Sequence, residues 1–214
     1  VLAHRPKAAM IWLLATQVID GIDGPMARAY DVKERVPQID GYVLDLIIDF
    51  VTCVVIPAAF LHEFDLLPGA NVSLALVGLV VFTSALWFSR TDMMTPDHWF
   101  RGFPAVWNLV APTLYLLGTS RTVGGIVVAG LALCSLMNVP FPHPVRVARW
   151  RSVTLPVTVA WLAVMTWLTL ITPKSNLIGR LLLVAAPLYF AAIAVAKLRV
   201  GTTEDEHAAT LRPS

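Results

Sequence analysis

Apolar segments of about 20 residues recur along the whole chain, and this repetition limits its fold more than any other feature. Charged residues make up only 14% of the 214 residues, the hydrophobic fraction is 57%, and the mean hydropathy is +0.71. A soluble domain of this size has about 25% charged residues. The sequence therefore predicts an all-α polytopic membrane protein. A net charge of +2 gives no indication of nucleic-acid binding.

Seven segments bounded by Pro, Gly or charged residues are predicted to be transmembrane helices. They cover 8–29, 41–62, 71–89, 103–119, 122–138, 153–172 and 176–197. Together they form one integral membrane domain over residues 1–200. A polar C-terminal tail follows at 201–214.

The Lys and Arg residues set the predicted orientation, because such residues concentrate in cytoplasmic loops. When the 28–40 loop is placed in the cytoplasm, eleven of the 16 Lys and Arg residues fall at cytoplasmic ends. This orientation puts the tail in the cytoplasm and Val1 on the other side. We therefore expect a further helix before Val1, which would return the N-terminus to the cytoplasm.

Four aspartates interrupt the first two predicted helices near their cytoplasmic ends. Asp20 and Asp23 are three residues apart, and Asp45 and Asp49 are four residues apart, so each pair shares one helix face. The first helix runs toward the cytoplasm and the second returns from it, so the two pairs can face each other. A lone carboxylate within a membrane costs about 3 kcal/mol or more. Because divalent cations prefer carboxylate oxygens, the sequence predicts two metals held by these side chains.

Small and cationic residues beside the aspartates indicate a phosphate-containing substrate. Gly24 and Gly41 lack side chains where a nucleotide needs to approach the backbone closely. Arg28, one turn after Gly24, has a planar guanidinium that suits a phosphate. Two metals and a bound pyrophosphate are suited to displacement at phosphorus. The alternative from a different class is a cation transporter with intramembrane aspartates, whose carboxylates should follow a path across the bilayer rather than cluster at one end.

The pattern D-x-x-D-G-x-x-A-R followed by G-x-x-x-D-x-x-x-D resembles the CDP-alcohol phosphatidyltransferases. Its fixed positions are Asp20, Asp23, Gly24, Ala27, Arg28, Gly41, Asp45 and Asp49. The resemblance implies transfer of a phosphatidyl group from a CDP-linked lipid to an alcohol, with release of CMP and two bound divalent metals. It implies that all four aspartates lie at the metals and that Asp49 deprotonates the acceptor hydroxyl. The CDP site would be lined by Gly24, Ala27, Arg28 and Gly41.

Further stretches resemble one branch of that family, the bacterial phosphatidylcholine synthases. Twelve residues separate Arg28 from Gly41, more than in most family members, and the stretches 98–118 and 140–151 are also similar. This branch implies CDP-diacylglycerol and choline as substrates, with Mn²⁺ as the usual metal and Mg²⁺ as the alternative. It implies the bacterial inner membrane, an active site open to the cytoplasm, one more span than the seven above, and frequent homodimers. Another acceptor, serine or glycerol 3-phosphate, stays open as the nearest alternative.

Aromatic side chains are common protein partners of a quaternary ammonium such as choline. The candidates are Trp99, Phe103, Trp107 and Tyr115, which lie in the predicted cytoplasmic loop after the third helix and in the helix that follows. Phe103 and Trp107 are four residues apart and could form one wall of a cage. Trp and Tyr also gather at membrane interfaces without any ligand, so both interpretations stay open.

Overall fold

The computed structural model describes residues 1, 3–174 and 176–210, with side chains as far as residue 199. Its helices are α1 (Pro6–Ala29), α2 (Val32–Arg35), α3 (Gly41–Asp49), α4 (Ile56–Glu63), α5 (Ala70–Phe88), α6 (Trp107–Leu117), α7 (Arg121–Ser135), α8 (Arg151–Ile171) and α9 (Leu177–Thr210). A π-helical segment, Phe50–Val55, joins α3 to α4, so that Gly41–Glu63 is one continuous helix. The predicted all-α membrane class is confirmed.

Among the described residues, four helices are long and apolar enough to cross a membrane, namely Gly41–Glu63, Ala70–Phe88, Arg151–Ile171 and Leu177–Arg199. The apolar helices α6 and α7 are shorter, and the 24-residue α1 contains two of the aspartates. Large apolar side chains point away from the bundle, including Trp12 (70% exposed), Ile126 (68%) and Phe82 (62%). An apolar exterior of this extent suits lipid rather than water.

The fourth predicted helix begins later than expected, and a small sheet that the sequence analysis missed precedes it. Strand β1 (Trp99–Arg101) pairs in antiparallel register with β2 (Pro140–Pro142). After β1 the backbone is left-handed at Gly102 (φ +83°) and at Ala105 (φ +54°). These values are incompatible with a right-handed helix, so α6 starts at Trp107 instead of residue 103.

The last helix extends beyond the end predicted for the seventh span. The prediction ended at residue 197, whereas α9 continues to Thr210 and includes the first ten residues of the predicted polar tail. Residues 211–214 of that tail lie outside the described residues. Polar composition does not by itself end a helix, because Glu and Ala are good helix formers.

Helix packing brings the two aspartate-bearing segments together. Helix α1 packs against α6, α8 and the π-helical segment, which itself contacts α5 and α6. The start of α3 is set by Asp40, whose carboxylate accepts hydrogen bonds from the amides of Tyr42 (3.0 Å) and Val43 (3.2 Å). This is a favourable N-cap, and it places Asp45 and Asp49 in the second and third turns of the helix.

Candidate active site

Three of the four predicted aspartates converge at one place. One carboxylate oxygen from each of Asp20, Asp45 and Asp49 lies within 4.8 Å of the other two, and all three residues are half-buried. Asp20 comes from the C-terminal half of α1, and the other two are one turn apart on α3. The expectation that the two helices present their carboxylates to each other agrees with this geometry.

This donor set fits a hard divalent cation. Carboxylate oxygens are the ligands that Mg²⁺ and Mn²⁺ prefer. Three carboxylates this close repel one another, and a cation between them would relieve the repulsion. In the described part of the chain, no Lys, Arg or His forms an ion pair with Asp20, Asp45 or Asp49.

The other predicted motif residues lie around this group. Asp23 is not among the three converging carboxylates, although it lies one turn beyond Asp20 on α1. The guanidinium of Arg28 folds back over Gly24, where a Cβ atom would lie 3.4 Å from Nη1 of the arginine. At Gly41 a Cβ atom would have no other atom within 4 Å, and Ala27 is exposed. The end of α1 and the start of α3 therefore leave open space beside the carboxylates.

Two amide side chains that the sequence analysis missed connect Asp20 to the core. Nδ2 of Asn108 donates to Oε1 of Gln17 at 2.9 Å, and Nε2 of Gln17 donates to Oδ2 of Asp20 at 3.4 Å. Asn108 is fully buried in the first turn of α6, and its Oδ1 has no hydrogen-bond partner among the residues that the structure describes. The available signals were an amide within an apolar helix and a Gln one turn before the first aspartate.

Ring contact joins just two of the four aromatic candidates within the described residues. Phe103 and Trp107 contact each other with ring centroids 5.0 Å apart and are buried, and Trp99 is also buried. Nε1 of Trp107 donates to Oγ of Ser84 at 2.9 Å. Tyr115 lies two turns further along α6, with its ring centroid 5.7 Å from that of Phe60. Tyr115 thus has ring contacts with Phe60 and Phe64 and, within the described part of the chain, with none of the other three candidates.

The ring of Trp99 already has a cation beside it. Nζ of Lys197 on α9 lies 5.7 Å from the Trp99 ring centroid and 2.9 Å from Oδ2 of Asp97. The hydroxyl of Thr95 donates to Asp97, and this hydrogen bond together with the Lys197 ammonium lowers the pKa of the Asp97 carboxyl. The Asp97 carboxylate therefore stays ionised and holds the lysine beside the indole.

A second loop residue near the sheet, His143, is held in its neutral form. Its ring stacks on Phe100 with centroids 5.3 Å apart, and its Nδ1 accepts hydrogen bonds from the amides of Val145 and Arg146. Burial lowers the pKa of His143 to about 4, and the nearby Arg146 and His98 act in the same direction. The side chain thus serves as a hydrogen-bond acceptor that orders the 143–146 turn.

This chain is similar to several known phosphatidylcholine synthases. It is 40% identical over 159 residues to the phosphatidylcholine synthase of Pseudomonas aeruginosa, a match that covers 74% of the chain and 66% of that protein. It is 43% identical over 166 residues to the phosphatidylcholine synthase of Bradyrhizobium diazoefficiens, covering 76% of the chain and 61% of the relative. The chain belongs to the phosphatidylcholine synthase family.

A third phosphatidylcholine synthase, from Mesorhizobium japonicum, is 40% identical over 160 residues and is covered over 59% of its length. No family model matches the chain. The chain spans between 59% and 66% of the length of these three phosphatidylcholine synthases. The resemblance inferred from the sequence motif is therefore confirmed for the family.

Proposed function

We propose that this chain synthesises phosphatidylcholine by transferring the phosphatidyl group of CDP-diacylglycerol to choline, with release of CMP. The observation that carries the proposal is the convergence of Asp20, Asp45 and Asp49 at one end of a membrane bundle. Clustering at one end favours a reaction centre over a cation pathway, which needs carboxylates distributed across the bilayer. The similarity to phosphatidylcholine synthases supports the choice of reaction.

In this proposal the CDP moiety binds where α1 ends and α3 begins. Gly24, Ala27 and Gly41 have no bulky side chain and so leave space for the nucleotide beside the carboxylates. Arg28 supplies a planar guanidinium for the pyrophosphate. The open space at Gly41 supports this assignment. The diacylglycerol chains would stay in lipid beside the apolar exterior of the bundle.

Asp20, Asp45 and Asp49 would hold a divalent cation, and Asp23 would contribute to a second one. Mn²⁺ is the proposed metal, with Mg²⁺ as the alternative, because carboxylate oxygens suit both ions. When bound, such ions supply charge neutralisation for the pyrophosphate and for the departing CMP.

The proposed chemistry is a direct displacement at phosphorus. Asp49 accepts the proton of the choline hydroxyl. The choline oxygen then forms a bond to the phosphorus that carries diacylglycerol, and the bond from that phosphorus to the bridging oxygen of CMP breaks. Asp49 is the last residue of α3 and directly precedes the π-helical segment. Because π-helical segments often occur at functional sites, this position supports Asp49 as the base.

We also propose the surroundings of the reaction. The concentration of Lys and Arg at one end of the helices supports placement in the bacterial inner membrane with the carboxylates facing the cytoplasm. Among the aromatic candidates, the cation beside Trp99 supports a cation-binding role for that ring. Phe103 and Trp107, which contact each other, stay candidates for one wall of a cage. A homodimer remains a prediction.

An acceptor panel tests the proposed function. Membranes containing this chain are given CDP-diacylglycerol, Mn²⁺ and labelled choline, serine, inositol or glycerol 3-phosphate, and the lipid products are separated. The expected result is labelled phosphatidylcholine with choline alone. The Asp49→Asn variant should lose this product, whereas Asp31→Asn should retain it, because Asp31 is exposed and its left-handed backbone (φ +51°) also suits Asn.

The other outcomes separate the alternatives. Product formed with serine or glycerol 3-phosphate would keep the transfer chemistry and reject choline. Product formed equally by Asp49→Asn would reject Asp49 as the base. Absence of lipid product with any acceptor, together with cation uptake by vesicles that depends on the aspartates, would support the transporter instead.

A further inference from the structure

A cavity of about 190 Å³ opens between α6, α8 and α9. Its lining includes Tyr115, Thr172, Lys174, Asn176 and Arg180, together with the apolar Leu116 and Leu168. Asn108 at the start of α6 is linked to the carboxylate site, and Tyr115 is seven residues later in the same helix, roughly 10 Å along its axis. The cavity therefore lies toward the end of the bundle opposite to the three aspartates.

The charge in this cavity is uncompensated. Among the described residues, Lys174 and Arg180 line it, no carboxylate does, and neither cation forms an ion pair. The ammonium of Lys7 adds a third cation nearby, since it donates to the carbonyl oxygen of Leu170 at the end of α8. The C-terminal ends of α6 and α8 offset only about half an elementary charge each. A net positive charge remains at the cavity.

These cations lie on the side of the membrane where Lys and Arg are rare. In the orientation that follows from the Lys and Arg distribution, only five of the 16 such residues lie on the non-cytoplasmic side, and Lys7, Lys174 and Arg180 are three of them. Isolated cations at a membrane interface extend toward water on their own. Here two of them converge on one cavity, which favours a shared anionic ligand.

Two further side chains of the lining, Asn176 and Tyr115, have hydrogen-bond donors available, whereas the hydroxyl of Thr172 already donates to the carbonyl oxygen of Leu168. Oδ1 of Asn176 accepts the amide of Gly179 at 2.8 Å, which leaves the Nδ2 hydrogens for a ligand. The hydroxyl of Tyr115 forms no hydrogen bond in the described part of the chain. An ammonium, a guanidinium, an amide and a phenol form a donor set that matches a phosphate group, with the guanidinium able to bind two of its oxygens.

Apolar groups beside the donors indicate that this phosphate carries acyl chains. Leu116 and Leu168 line the same cavity. Close in the chain to lining residues, Leu170 (55% exposed), Leu177 (73%) and Ile178 (68%) are exposed at the ends of α8 and α9. We propose that this cavity binds the headgroup phosphate of an anionic phospholipid in the leaflet opposite to the carboxylate site.

Lipid retention measured by native mass spectrometry tests the proposal. The chain is reconstituted in phosphatidylcholine nanodiscs with and without phosphatidylglycerol, released, and the bound lipids are counted. Wild type should retain phosphatidylglycerol selectively. The Lys174→Gln/Arg180→Gln variant should lose this selectivity by about 25-fold, roughly fivefold for each cation. Arg121→Gln is the matched control, because it removes a cation that is already paired with Asp65 at 3.0 Å.

Further experiments identify the ligand and separate a loss of charge from a failure to fold. Lys174→Arg/Arg180→Lys keeps both charges and should keep most of the selectivity. Wild type that retains phosphatidylglycerol and phosphatidylcholine equally would overturn the proposal without any variant. Inorganic phosphate that stabilises the chain against heat as well as phosphatidylglycerol does would replace the lipid with free phosphate and also overturn it. No readout depends on phosphatidyl transfer, so failure of the proposed function would not affect this result.

Discussion

Replacing Asn108 with Leu tests how the two amides support Asp20. The substitution removes the 2.9 Å hydrogen bond to Gln17, which contributes about 1 kcal/mol. In the wild type, the buried Oδ1 has no partner among the described residues and destabilises the fold by about 1–3 kcal/mol. The substitution removes this penalty as well. Because these two effects oppose each other and Leu has the same number and branching of side-chain heavy atoms as Asn, the free energy of unfolding should fall by no more than about 1 kcal/mol, or should rise.

The effect on the carboxylate site should be larger than the effect on stability. Without Asn108, the amide of Gln17 is free to turn away from Asp20. Hydrogen-bond partners of metal-binding side chains typically contribute 10- to 100-fold to metal affinity. The contact between Gln17 and Asp20 is long, at 3.4 Å, so the low end of that range applies. We expect about a tenfold weaker affinity for Mn²⁺, equivalent to about 1.4 kcal/mol.

Two measurements on the purified chain in detergent separate these effects, namely Mn²⁺ titration by calorimetry and thermal unfolding. Thr113→Val is the control in the same helix, because the Thr113 hydroxyl donates to the carbonyl oxygen of Leu109 at 2.7 Å rather than to the carboxylate site. It should leave Mn²⁺ affinity unchanged. Unchanged Mn²⁺ affinity in Asn108→Leu, together with a loss of stability above about 2 kcal/mol, would refute the reasoning and make the amide pair a packing contact.

The remaining predictions concern packing and pH. Gly124→Ala should lower the melting temperature markedly, because its Cβ would lie 2.1 Å from the carbonyl oxygen of Leu66. The control is Gly130→Ala in the same helix, whose added Cβ meets no atom within 4 Å. It should be neutral or stabilising by about 0.5–1 kcal/mol. Equal melting temperatures of the two variants would contradict the close contact between Gly124 and Leu66. His143 has a pKa of about 4 in the fold against about 6.5 when unfolded, so stability should decrease as pH falls from 6.5 to 4. His143→Gln should remove this dependence in unfolding curves, and an unchanged slope would show that another group titrates.

Local patterns predicted that carboxylates from the first two helices lie together, and three of the four predicted aspartates do so. The spacing of Asp45 and Asp49 puts both on one face of a helix whatever the rest of the fold does, and the short connection after α1 requires the two helices to lie close together. Each of the seven predicted helices coincides with an observed one. The length of an apolar segment predicts a helix because a helix satisfies its own backbone hydrogen bonds in lipid. These properties depend on residues that are near one another in the chain.

Contacts between distant segments could not be found in this way. Residues 99–101 and 140–142 pair across about 40 residues, and neither strand is long enough to show an alternating pattern. The hydrogen bond between Gln17 and Asn108 joins positions 91 residues apart. Phe103 and Trp107 have the spacing of a cage wall, yet Trp107 is fully buried and donates a hydrogen bond to Ser84. Ser84 belongs to α5, so the sequence around Trp107 could not indicate this contact.

The sequence by itself determined that the chain is a helical membrane protein with acidic residues on two neighbouring helices, because hydropathy and helical period are properties of single segments. The tertiary structure decided which three carboxylates converge, which amides support Asp20, and that Lys174 and Arg180 meet beside a cavity. Each of those arrangements depends on the relative position of separate helices. Helix packing sets that position through side-chain shape, and no single segment contains this information.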